Sequence, residues 1–506
     1  SGKCIKGSEN VQTYPVRFLE NQVEVDISIP DAALQREKIN HSLHEGLWEH
    51  RNGQVARDVV RLLQLDTAPE NIIAEAAKFD STYAEWGTSH VLPVALDVLE
   101  YLDRYPGLSA VYPIMQVMEL ASEGYHHYPP RRVGAAIKFE GEGPDFEARL
   151  HRAIEDEELE LAEGLFRGAL EAGWQKEHVQ RFFFEVVSLH FLGYGHALIY
   201  CVKIFEFLEL TGWVYATDIL SSFLVRLINW TREDLLPEWN WFREKLKQEE
   251  IHFPKWHELT RNNLSWEREH FVKELVWGKR ADALDALVRV LEAGVPLPDL
   301  VDALSEGAAE RILRFKISID RSNEIQNGWL AITHIATYVN ALRSAVRRFD
   351  QPDIFRLFFF AIRFINQGKA LDGDFELSSL EKRSCESEEE YVSQIELALV
   401  AHDWKKALSY TKGYLREFGE ASLLKNACMD FVFKDVLVRP IVVAHWIKMT
   451  VALFEEYQVS NGPAREKHLL ALIRFGSSPL RERWISRVSF EAIQFLEHGR
   501  VPKDLM

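Results

Sequence analysis

The chain of 506 residues is 47% hydrophobic and 12% aromatic, enough to bury a large core, which excludes a disordered protein. Its 77 Asp and Glu outweigh 59 Lys and Arg for a net charge of -18, which opposes nucleic-acid binding, where clustered cations must neutralise phosphates. Four cysteines (Cys4, Cys201, Cys385, Cys428) show no Cys-x-x-Cys spacing, so neither a disulfide framework nor a thiolate zinc site is indicated and a cytoplasmic location is expected.

The first element in chain order is a hairpin. Thr13-Tyr14-Pro15-Val16-Arg17-Phe18, a polar Glu20-Asn21-Gln22 turn and Val23-Glu24-Val25-Asp26-Ile27 read as two alternating strands. A lone hairpin is marginal in water, so these strands call for a further sheet or for pairing with the rest of the chain. With the Gly2-Lys3-Cys4 start, the segment 1–30 resembles the closing stretch of Rieske [2Fe-2S] ferredoxin domains. That resemblance implies a cluster whose Cys-x-His and Cys-x-x-His ligands lie upstream of Ser1, since no such pairs occur in this sequence. The expectation is a remnant of a longer β domain, with pairing onto the helical body as the alternative.

From about residue 36 helical periodicity takes over, and the pattern repeats. A long apolar helix preceded by a small residue and a histidine occurs four times, at Ser89-His90, Gly195-His196, Thr333-His334 and Ala444-His445. Earlier in each unit a first helix carries His44, His151, Lys273 or Glu396 at the matching place. The third unit is stretched by an insertion near Asp320–Gly328. The expected fold is mainly α, with four helical-hairpin pseudo-repeats at 36–128, 145–245, 266–372 and 388–490 stacked in a superhelix or toroid. Pro129-Pro130, His252-Phe253-Pro254 and the charged stretch from Leu371 to Glu390 punctuate them. Charges at Lys203 and Glu206, Arg356 and Arg363, or Arg439 and Lys448 break the most apolar stretches, so no membrane span is expected.

The repeat histidines are the sharpest chemical candidates. An imidazole at a helix N-terminus is disfavoured as a cation, and neutral imidazole binds metals or accepts a proton. Repeats arranged about an axis would bring His90, His196, His334 and His445 toward one cavity, with His44, His151, Lys273 and Glu396 as a second layer. Each histidine can instead pack between helices against a backbone group. His190 could join the set or cap its helix, and Asp80 and Asp435, each ten residues before a repeat histidine, are candidate carboxylates. The helix from Gly195 to Phe205 is apolar nearly all round, so Tyr200 and Lys203 stand out as acid–base candidates, though Lys203 can also snorkel outward. His126-His127 and Glu155-Asp156-Glu157-Glu158 read as surface turns. Phosphate-loop, Rossmann, Gly-x-Ser-x-Gly and His-Glu-x-x-His motifs are absent from the sequence.

The stretch from Asp145 to Trp239 resembles bacterial proteins that carry a Rieske domain before a long helical region. Leu62 to Ile72, with Ala68-Pro69-Glu70-Asn71-Ile72, is similar to part of the questin oxidase-like family, although Asn52 to Asp58 replaces that family's histidine-rich stretch. These resemblances imply an oxidoreductase: a metal-dependent oxygenase with histidine-bound iron, electrons from a Rieske cluster, a reductase or ferredoxin as donor, and a small organic substrate. An α-helical scaffold for a protein partner and a cofactor-free acid–base enzyme are the alternatives. A homo-oligomer stays open.

Overall fold

The computed structural model describes residues 14, 16–19, 22–26, 31–125, 128–138, 143–259, 266–321, 328–374, 377–437, 440–478, 493–495 and 497–500. Among them the only strands are β1 (Val16–Leu19) and β2 (Gln22–Val25), an antiparallel pair, and the rest is mainly α. Val16 faces Val25 and Phe18 faces Val23, so one side of the hairpin is wholly apolar, yet all eight strand residues are exposed. Pro15, Glu20 and Asn21 lie outside the described residues, as do His126-His127 and most of the stretch around Asn323 and Asn327.

The chain divides into two compact units, Ser1–Trp174 with Ile204–Asn229, and Gln175–Lys203 with Trp230–Met506. The dividing point therefore falls inside the second sequence repeat. The first unit holds α1 (Ala32–Trp48), α2 (Asn52–Gln64), α3 (Pro69–Tyr83), α4 (Val91–Leu99), α5 (Val111–Glu123), α6 (Gly143–Glu155) and α7 (Leu159–Glu171). The chain then contributes α8 (Lys176–Leu189) to the second unit, crosses between units within α9 (His196–Leu210), and returns α10 (Ala216–Asn229) to the first.

The second unit continues through α11 (Asn240–Glu249), α12 (Phe253–Leu259), α13 (Arg268–Trp277), α14 (Arg280–Glu292) and α15 (Leu297–Arg314). Next come α16 (Trp329–Arg348), α17 (Ile354–Gln367), α18 (Glu388–Val400) and α19 (Trp404–Glu417). It closes with α20 (Ser422–Phe431), α21 (Pro440–Val459) and α22 (Pro463–Gly476).

Helices recur in fives with one packing scheme: first on second, second on fifth, fourth on fifth. It holds for α1–α5, for α13–α17 and for α18–α22. The matched positions His44, His151, Lys273 and Glu396 fall in first helices, whereas His196, His334 and His445 fall in fourth helices.

Local chemistry explains these elements. In α2, Val55, Asp58, Val59 and Leu62 are buried at the spacing of one helix face. Asp58 survives there because Ser42 donates to it at 2.5 Å and Arg57 at 3.0 Å. Ser387 and Asp403 cap α18 and α19 by accepting from the backbone N–H three residues on. In the first unit the core gathers aromatic rings around buried Tyr125, with Trp48 at 4.4 Å and Tyr83 at 5.5 Å between centroids. In the second, α17 buries Phe355, Phe358, Phe359, Phe360 and Phe364, which makes it a central helix rather than a surface one. No helix among the described residues is long and apolar enough to cross a membrane.

Candidate functional site

The second unit brings three repeat histidines together. His334 lies in the middle of a row: its ring meets His196 edge-on at 4.2 Å between centroids and His445 at 5.0 Å. All three are buried, His445 to 1% exposure. The Nε2 atoms of His334 and His445 stand 3.0 Å apart.

Partner types assign the tautomers. Carbonyl oxygens only accept, so Nδ1–H of His445 donates to the Ile441 carbonyl at 2.7 Å, and Nδ1–H of His196 donates to the Gly193 carbonyl. Burial, then the Lys448 charge one turn on, pushes the His445 pKa well below its ordinary value, with His196 adding to the effect. His445 is therefore neutral and its Nε2 carries a lone pair, which the His334 N–H can meet.

A tight loop sets His196. Helix α8 ends at His190, Leu192 bridges to Arg232, and Gly193, Tyr194 and Gly195 take φ of 54, 58 and 82° before α9 begins. Glycine is required twice here. A Cβ on Gly193 would stand 2.7 Å from the Trp230 ring, and one on Gly195 the same distance from Tyr338. The Trp230 ring in turn stacks on His196 at 5.9 Å with 16° between planes, and Tyr200 closes edge-on at 5.5 Å.

The donor set fits a transition ion. Metal-ligating histidines commonly give their second ring N–H to a carbonyl, which fixes the ring and its tautomer, as His445 and His196 do here. Two Nε2 atoms 3.0 Å apart are close enough to share one ion at metal–nitrogen bonds of about 2.0–2.1 Å. The nearby Lys448 charge works against any cation, and it is buried to 2% exposure.

The other sequence candidates have the following local settings. His90 forms the N-cap of α4 in the first unit. His334 and His445 are not helix-start residues as expected, because α16 and α21 begin a full turn earlier at Trp329 and Pro440; burial, not a helix terminus, keeps His445 neutral. Asp80 does not serve as a free carboxylate: it is buried and accepts from Thr88 Oγ1 at 2.6 Å, Ser89 Oγ at 2.6 Å and the Ser89 N–H at 2.9 Å. Asp435 is exposed.

His44 bonds Glu75 at 2.8 Å through Nε2, and His151 is half-buried in α6. Lys273 is exposed, and Glu396 pairs with Lys434 at 2.7 Å. His190 gives Nδ1 to Asp234 at 2.8 Å at the end of α8. Tyr200 is buried as expected of its helix, and Lys203, at 8% exposure, is buried rather than snorkelling, since α9 is enclosed at that turn. The Glu155 to Glu158 turn is largely exposed.

Sequence reasoning missed Trp230, Lys448 and the adjacent acids Glu233-Asp234. Only the Gly193-Tyr194-Gly195 spacing beside His196 could have flagged the loop. In comparisons with known proteins, no family model, no curated protein and no solved structure matches the chain.

Proposed function

We propose that the chain is an oxidoreductase whose reaction centre is the buried row of His196, His334 and His445, with iron as the bound ion and a small organic substrate. The observation that supports this most is the pair of imidazoles anchored through Nδ1–H to main-chain carbonyls, which turns Nε2 into the donor atom. His334 and His445 would hold the ion through Nε2. When bound, iron supplies one-electron and dioxygen chemistry of the oxygenase kind at open coordination positions.

The chain's own contribution is positional and electrostatic. The Ile441 carbonyl fixes the His445 ring, the Gly193 carbonyl and Trp230 fix His196, and burial excludes water and keeps His445 unprotonated. Electrons would come from a Rieske-type [2Fe-2S] cluster outside this sequence, or from a separate ferredoxin or reductase. Metal analysis of the purified chain tests the reading. Iron near one equivalent, lost in both His334→Ala and His445→Ala, is expected; protein that binds no iron, or binds it equally in these variants, rejects it.

A second reading draws on Lys448, whose charge opposes a cation at His445. The 3.0 Å contact would then be a proton-transfer pair, with His334 donating to His445. Activity that survives exhaustive chelation but is lost in His445→Gln would favour it.

A further inference from the structure

The residues that hold His196 are themselves held from a distance in sequence. Segment 190–195 is clasped by residues 231–234: the Gly193 N–H donates to the Thr231 carbonyl at 3.1 Å, and the Glu233 N–H donates to the Phe191 carbonyl at 3.0 Å. Asp234 accepts from the Phe191 N–H at 3.0 Å and from His190 at 2.8 Å. Glu233 Oε1 accepts from the Tyr194 N–H at 2.8 Å.

That last bond lies at the weakest point of the turn. Tyr194 has φ of 58°, and a left-handed residue other than glycine costs roughly 1–2 kcal/mol, so outside contacts must maintain it. On the other edge of the same peptide group, the Gly193 carbonyl receives Nδ1–H of His196. Glu233 is 7% exposed, and its Oε2 is buried without a hydrogen-bond partner among the described residues. Leaving a buried polar atom unsatisfied is destabilising, so stability alone does not account for a carboxyl here.

We propose that Glu233 is a positioning residue for the histidine centre: by holding the Tyr194 N–H it fixes the left-handed Gly193–Tyr194–Gly195 turn, whose Gly193 carbonyl sets the orientation and tautomer of His196. The inference rests on the reading of His196 as part of the centre. Its geometric content, however, can be tested without any metal. Burial, with Asp234 beside it, also pushes the Glu233 carboxyl up to about 8, so the group accepts the Tyr194 bond without adding a full negative charge at neutral pH.

The test uses the full chain with 15N-labelled histidine, the His196 ring signals being assigned by their loss in His196→Gln. The unaltered chain shows protonated Nδ1 at His196, and Glu233→Gln keeps that signature because its side-chain carbonyl still accepts from Tyr194. Glu233→Leu, similar in bulk but without an acceptor, loses it. Adding Tyr194→Gly to Glu233→Leu restores the signature, since glycine adopts the turn unaided.

An unchanged His196 signal in Glu233→Leu overturns the proposal. So does a double variant that fails to fold or to restore the signal. If the signal responds as expected while no variant, nor the unaltered chain, binds iron, the positioning role stands and the metal reading falls.

Discussion

Gly195 is the residue on which His196 placement depends most directly. Its φ of 82° and the 2.7 Å that would separate a Cβ from the Tyr338 ring mean that Gly195→Ala must strain the backbone and push a buried aromatic. The two penalties together come to about 2–5 kcal/mol, read as a lower urea midpoint with unchanged slope. Lys448→Met acts on the other end of the row. Removing that charge raises the His445 pKa toward its ordinary value, a shift followed by imidazole NMR during pH titration. The histidines themselves were legible because each follows a small residue before an apolar run. Their surroundings were not: Lys448 is visible three residues after His445, but only burial makes its charge matter, and Trp230 reaches His196 through a fold that brings a loop back across the start of α9.

Among elements, a buried ion pair ties the long helices of the second unit together. Arg343 of α16 meets Glu456 of α21 at 2.6 Å and Asp302 of α15 at 2.7 Å, while Asn340 adds a bond to Glu455 at 2.8 Å. Arg343→Met strands two acids around a lost cation, so a loss of about 3–5 kcal/mol is expected in denaturant unfolding, well beyond the ~1 kcal/mol ceiling of a surface bridge. Helical periodicity made the helices readable from the chain, and the hairpin's alternation gave β1 and β2 near their observed places. The five-helix order was only partly readable, because the sequence signal was carried by first and fourth helices. Pairings such as Arg343 with Glu456 join residues more than a hundred apart, and no local pattern announces them. The passage of α9 from one unit into the other is likewise invisible in periodicity, which continues through it unchanged.

At the scale of the molecule, buried titrating groups of opposite sign should give stability an optimum near neutrality. Burial pushes His468 down to about 4 and His445 well below its usual value. Both are neutral in the fold but take up protons when unfolded, so their contribution is intact above about pH 6.5 and is lost as pH falls through the folded values. Glu456 adds to the acid limb: burial pushes its carboxyl up, but the Arg343 bonds outweigh this and hold it below the usual range. Glu233 works the other way. Its folded value of about 8 exceeds the ordinary 4.5, so the fold retains a proton that the unfolded chain has released, and stability declines as pH rises from about 4.5 to 8. Between 6.5 and 8 the two histidines no longer titrate, which isolates the Glu233 effect. Thermal unfolding followed across pH 4 to 9 should therefore peak near 6.5, with Glu233→Gln flattening the alkaline side and leaving the acid side in place. An alkaline limb that is equally steep in Glu233→Gln would place the responsible group elsewhere.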